Sequence, residues 1–125
     1  MATAYQGGIP TPQGVKPVSR LPLNWTLPLI EQHLGVAAGR IRLSPTPGTA
    51  TERDLLDLER HGNVLCELID GVLVEKNMGW YESTIAQILG GILQEYLRQN
   101  PLGLGLGADA AVKLLDGQIR MPDVC

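Results

Sequence analysis

Three carboxylates in this chain stand where the surrounding pattern calls for apolar side chains, and acidic groups so placed can hold a metal ion or move a proton. The first is Asp123, in the terminal run Met121-Pro122-Asp123-Val124-Cys125. Residues 110–115 and 118–125 read as two strands joined by Asp116-Gly117, a dipeptide that favours a two-residue hairpin turn. Alternation then puts Ile119, Met121, Asp123 and Cys125 on one face, and Gln118, Arg120, Pro122 and Val124 on the other. A charge on the more apolar face needs a counterion, a hydrogen bond or a metal. The plainer reading is that Asp123 caps a turn after Pro122.

The second is Glu82. From about Gly79 to Asn100, Ile85, Ala86, Leu89, Ile92, Leu93 and Tyr96 recur at steps of three and four, the period of an amphipathic helix that Asn100-Pro101 ends. The same steps counted back reach Glu82, so it is expected inside the apolar stripe, away from Gln87, Gln94 and Arg98. Its ordinary role in a first turn is to stabilise the helix dipole. The third is Glu67, in Val64-Leu65-Cys66-Glu67-Leu68-Ile69, which turns at Asp70-Gly71 into Val72-Leu73-Val74-Glu75-Lys76. A two-residue turn sets Glu67 opposite Val74, on the face of Leu65, Ile69 and Val72, with Glu75 beside Cys66 on the other. A lone glutamate there could simply guard an edge strand against aggregation.

The remaining elements are positioned around these. Residues 1 to about 22 carry Gly7-Gly8, Pro10, Pro12, Gly14, Pro17 and Pro22 without periodicity and read as a disordered leader, leaving one domain over 23–125. A short helix is expected from Thr26, its cap, to Leu34, with Pro28 in the first turn. After a loop over residues 44–48, Thr49 and Glu52 have capping-box spacing for a second helix that Gly62 stops. Residues 102–108 alternate Leu and Gly, with no phosphate-loop pattern, and fit a strand or a close helix contact.

Composition bounds the function. The chain has 125 residues, 44% of them hydrophobic, enough for one core. No run is long and apolar enough to span a membrane and the N-terminus lacks a secretory pattern, so a cytoplasmic protein with no membrane partner is expected. Cys66 and Cys125, with His33 and His61, have neither disulfide-scaffold nor zinc-site spacing. A formal charge of −3 argues against strong non-specific nucleic-acid binding, and leaves Lys113 and Arg120, expected as neighbours across the last hairpin, as local phosphate contacts or a solvated face.

The run Cys66 to Lys76, the helix after Met78-Gly79 and Ile119 to Val124 together resemble the Uma-two family of bacterial restriction-endonuclease-like proteins, with Asn24-Trp25-Thr26 and residues 47–52 similar to its N-terminal region. The resemblance covers about residues 23–125. It implies the PD-(D/E)xK nuclease fold, an α+β or α/β restriction-endonuclease-like mixed sheet with flanking helices, here incomplete at the C-terminus. It also implies magnesium, or manganese in its place, and DNA or another nucleic acid as partner.

On the family motifs, Asp123 matches the Pro-Asp metal ligand, Glu67 the glutamate of the Glu-Leu-hydrophobic-Asp-Gly motif, and Glu82 stands where many members have histidine. Asp123 and Glu82 are thus the implied metal ligands, with Glu67, Glu82 and Asp123 the implied catalytic set. The family pattern continues into a strand carrying a second acidic ligand and a basic partner, and nothing follows Cys125. The expectation is therefore a magnesium-dependent endonuclease-fold domain that hydrolyses nucleic-acid phosphodiesters but is inactive as this truncated chain. The alternative is a non-catalytic relic or a binding or dimerisation module. Val124 and its neighbours, left as an unpaired edge strand, would favour a homodimer.

Overall fold

Two Asp-Gly turns organise the sheet. In the computed structural model, which describes residues 20–62, 64–77 and 79–125, Asp70 and Gly71 both take left-handed backbone angles, φ 50° and 78°. That is the mirror-image turn whose twist matches the two strands it joins. It closes β1 (Cys66–Ile69) on β2 (Val72–Glu75) in the expected register, Glu67 opposite Val74 and Cys66 opposite Glu75. Gly71 is also where the chain returns most closely: a Cβ there would lie 2.7 Å from the backbone of Gly48, whose N–H bonds the Gly71 carbonyl at 2.9 Å.

The second turn closes β3 (Val112–Leu115) on β4 (Gln118–Arg120), but its register slips between Lys113 and Leu115. The slip is a bulge, and it sets Lys113 opposite Ile119 and Arg120 opposite Val112. Lys113 and Arg120 are therefore not cross-strand neighbours as expected. Leu68 pairs with Ile119, giving an antiparallel sheet in the order β2-β1-β4-β3. β4 thus lies inside the sheet and ends at Arg120, so Val124 is not the edge strand foreseen; Cys125 instead exchanges backbone hydrogen bonds with Leu106, at 2.6 and 3.3 Å. The outer position falls to β3, while β2 is flanked by a bridge to Ile41.

Both faces of the first hairpin are covered. Cys66, Leu68 and Leu73 pack with Ala50, Leu55 and Ile119 on one side; Ile69, Val72 and Val74 pack with Leu21, Ile30 and Ile41 on the other. Each such leucine or isoleucine withdrawn from water contributes on the order of 1.5–3 kcal/mol. Leu21 belongs to this core, and its N–H bonds the Asp70 carbonyl, although the expected leader ran to residue 22. Positions 1–19 of that leader lie outside the described residues.

Helix α1 (Leu27–Leu34) starts after Thr26 with proline in its first turn and ends at Gly35 in a left-handed cap. Helix α2 (Glu52–His61) is capped by a box formed from Thr51 and Asp54 rather than from Thr49 and Glu52. Glu52, freed from that role, reaches the second hairpin, where it accepts from Gly117 N–H at 3.2 Å and pairs with Lys113 Nζ at 2.9 Å. Residues 102–108 form no strand; Gly105 lies against Leu93, Gln94 and Leu97 of the third helix, α3 (Trp80–Gln99).

The fold is thus α+β, helices with a four-stranded sheet. No helix among the described residues is long and apolar enough to cross a membrane.

Candidate acidic site at residues 121 to 123

The sheet brings the glutamate of the first hairpin to the Pro-Asp segment of the second. Because β1 pairs with β4, Glu67 lies beside the end of β4: its Oε1 accepts from Met121 N–H at 2.7 Å and its Oε2 lies 3.4 Å from Arg120 Nη1. Its side chain is only 14% exposed, so these two donors are what make the charge tolerable there. Glu67 is not an edge guard. It pins the chain where strand pairing stops and the Pro122 turn begins.

Past that pin the alternation lapses. Ile119 and Met121 are buried as expected, but the strand ends at Arg120 and Asp123 sits in a bend with 59% of its side chain exposed, not on an apolar face. Pro122, which has no N–H to offer a ladder, stands two residues past that last strand residue. Asp123 Oδ1 lies 3.1 Å from Lys76 Nζ. The same ammonium donates to the carbonyl oxygens of Met121, at 2.6 Å, and Ala108, at 2.7 Å. Lys76 is placed by the ladder, its own N–H bonding the Leu65 carbonyl just past the paired residues of β1 and β2.

Over this segment lies α3. A groove of about 490 Å³ runs between the helix and the segments 105–108 and 123–124, bordered from the helix by Ser83, Ala86, Gln87 and Gly90 among others. The expected inward stripe is only partly realised: Ala86 and Leu93 are half-buried, whereas Ile85, Leu89, Ile92 and Tyr96 are exposed. Glu82 does not point inward. It is exposed, its carboxylate folds back over Gly79 at the helix start, and Ser83 rather than Glu82 borders the groove beside Asp123. The reason is its place along the helix: Glu82 precedes Ala86 by one turn on the half-buried line of Ala86, Gly90, Leu93 and Leu97, which leaves it beyond the last of these positions and in the dipole-stabilising position of a first turn.

The three acidic residues therefore do not converge, and among the described residues no three His, Cys, Asp or Glu side chains gather as a metal-binding group. Magnesium, however, is commonly held by one or two carboxylates completed by water and phosphate oxygens. Asp123, exposed and bordering a groove, fits that single-carboxylate role; Glu67, with both oxygens engaged, does not add to it in this arrangement. No cysteine nucleophile competes for the chemistry from the core, since burial pushes the Cys66 thiol up to about 11.

Lys76 is the site residue that the sequence reading missed. Its signal was present, a lysine at the end of an otherwise apolar strand, but a terminal lysine ordinarily reads as solvated. The geometry thus joins a pinned glutamate, a buried ammonium and an exposed aspartate on one short stretch of chain. No protein-family model matches the chain, and no curated protein or solved structure matches it.

Proposed function

We propose that this chain carries the acidic metal-binding segment of a magnesium-dependent, restriction-endonuclease-like domain of the Uma-two type, acting in the cytoplasm on the phosphodiesters of a nucleic acid, DNA in the first place. The observation that carries the reading is the pinning of Met121 by Glu67, which joins the two motif carboxylates structurally and leaves Asp123 exposed at the mouth of a groove.

The chemistry supplied by a bound magnesium ion is polarisation of the phosphoryl oxygen and activation of a water nucleophile. The chain's own residues account for the rest. Asp123, 59% exposed, would hold the ion through its carboxylate, with manganese as an alternative occupant. Glu67 fixes the backbone that carries Asp123, and Arg120, 40% exposed beside Glu67, offers a cation to a phosphate oxygen. Glu82, exposed in the first turn of α3 with its carboxylate folded back over Gly79, would act as an outer-sphere group rather than a direct ligand.

A second reading has its own observation. Glu67 has both oxygens engaged by protein donors and Asp123 is paired with Lys76, an arrangement that also suits a non-catalytic binding or dimerisation module of the same fold.

Calorimetric titration with magnesium separates the two. The metal-dependent reading expects binding that weakens at least tenfold in Asp123→Ala. Equal affinity in the two chains removes Asp123 from the site and leaves the non-catalytic module. Magnesium-dependent nicking of plasmid DNA, lost in the same variant, would extend the reading from binding to hydrolysis.

A further inference from the structure

Lys76 is a charged group with 7% of its side chain exposed, and every donor it has is used. An ammonium offers three N–H groups, and Nζ meets three oxygens: Met121 O at 2.6 Å, Ala108 O at 2.7 Å and Asp123 Oδ1 at 3.1 Å. They come from separate parts of the chain, the loop before β3 and the segment after β4, and Lys76 from the end of β2. Backbone carbonyls and a carboxylate converging on one positive point are the hard oxygen donors that calcium, magnesium and manganese also choose.

We infer that Ala108 O, Met121 O and Asp123 Oδ1 form a cation site that the chain fills with its own Lys76 ammonium, so that an external divalent ion gains full access to Asp123 only when Lys76 is displaced. The inference rests on the reading of Asp123 as the metal ligand. It adds the competitor for that ligand. The resident ammonium has a structural use, since it ties three segments together without requiring any ion in solution. It also holds metal affinity down, because an incoming ion meets a neighbouring positive charge and a carboxylate already half engaged. Replacing the ammonium by a metal would call for the two carbonyl oxygens to close in by about 0.5 Å and the Asp123 oxygen by about 1 Å, from hydrogen-bond to metal–oxygen distances. Asp123, lying in an exposed bend, has room to do so.

The test is Mn2+ binding, followed by electron paramagnetic resonance, with thermal unfolding at each ion concentration, on the full chain and on Lys76→Met, Asp123→Asn and the double variant. Methionine keeps the length of the stem and removes the charge and the donors. Lys76→Met is expected to bind Mn2+ at least tenfold more tightly than the unaltered chain, to gain thermal stability from the ion, and to lose both gains when Asp123→Asn is added. A Lys76→Met chain that folds only when Mn2+ is present supports the same conclusion. Affinity no higher than in the unaltered chain overturns the inference, as does a variant that stays unfolded in saturating Mn2+. Those failures leave the proposed metal role of Asp123 standing if the unaltered chain still binds through it. Conversely, Mn2+ binding in the unaltered chain that ignores Asp123→Asn defeats the metal reading itself.

Discussion

The hairpin of β1 and β2 and the hairpin of β3 and β4 turn on the same dipeptide, Asp-Gly, yet one is buried on both faces and the other is bulged and largely wet. In the first, apolar residues occupy both faces: a one-residue slip would lift Leu68, Val72 and Val74 from their contacts, so burial and turn enforce the same register. In the second, Leu114 is 60% exposed and Lys113 is paired with Glu52 and Asp116, so little is lost when one residue of β3 goes unpaired. A turn sequence proposes a register, and the core decides whether it holds.

The largest expected effect tests that difference in burial. Leu68→Ala empties a position 1% exposed and should cost about 3 kcal/mol in urea unfolding, whereas Leu114→Ala should change stability by no more than about 0.5 kcal/mol. Comparable losses from the two would mean that the second hairpin is as much a part of the core as the first.

A smaller contrast lies in the turns themselves. Gly71 and Gly117 have nearly the same left-handed backbone, φ 78° and 74°, so alanine at either position should suffer a conformational cost of about 1–2 kcal/mol. Only Gly71 has a neighbour. A Cβ there would stand 2.7 Å from Gly48, while at Gly117 it meets nothing within 4 Å. Gly71→Ala should therefore be the more destabilising by at least about 1 kcal/mol in the same measurement, the added cost of moving packed backbone. Equal losses would show that the turn conformation alone matters and that the Gly48 contact yields freely.

The same division explains what could be read from the sequence. Residues 66–75, the limits of α1 and α3 and the left-handed turn were legible because each depends on a few adjacent residues. The position of Glu67 was legible for the same reason, since it follows from the turn and the alternation of β1. The bulge was not, because it arises from weak burial and from a distant glutamate, Glu52, engaging Lys113 and Gly117 across the fold. Strand alternation predicts an apolar face for Asp123, but it holds only to Arg120, beyond which Pro122 and the Lys76 contacts set the chain and leave Asp123 exposed. Glu82 shows a different failure. Helical period located the stripe, but the line of contact runs through Gly90, and small residues leave no trace in an apolar pattern.

The smallest effect concerns how the second turn is held. The hydrogen bond from Lys113, with help from Gly117 N–H, keeps the Glu52 carboxyl below its ordinary value of 4.5 despite an opposing contribution from burial, and Glu52 and Asp116 together raise Lys113 above 10.5. A carboxyl whose folded value is lowered favours the folded state fully above its unfolded value, and that support is lost as pH falls through the folded value. The acid loss should thus begin below about pH 4.5, and the lysine's share should fade only as pH rises past 10.5. Because the pair is half exposed, its worth is at most about 1 kcal/mol. The consequence is local: between neutral pH and about pH 4 to 3, the protection of the Gly117 amide against hydrogen exchange should fall more than that of Val72, and Glu52→Gln should remove the difference. If the two amides lost protection in parallel, or if Glu52→Gln left the acid response unchanged, the second hairpin would owe its position to β4 alone, and the contrast between the hairpins would reduce to burial.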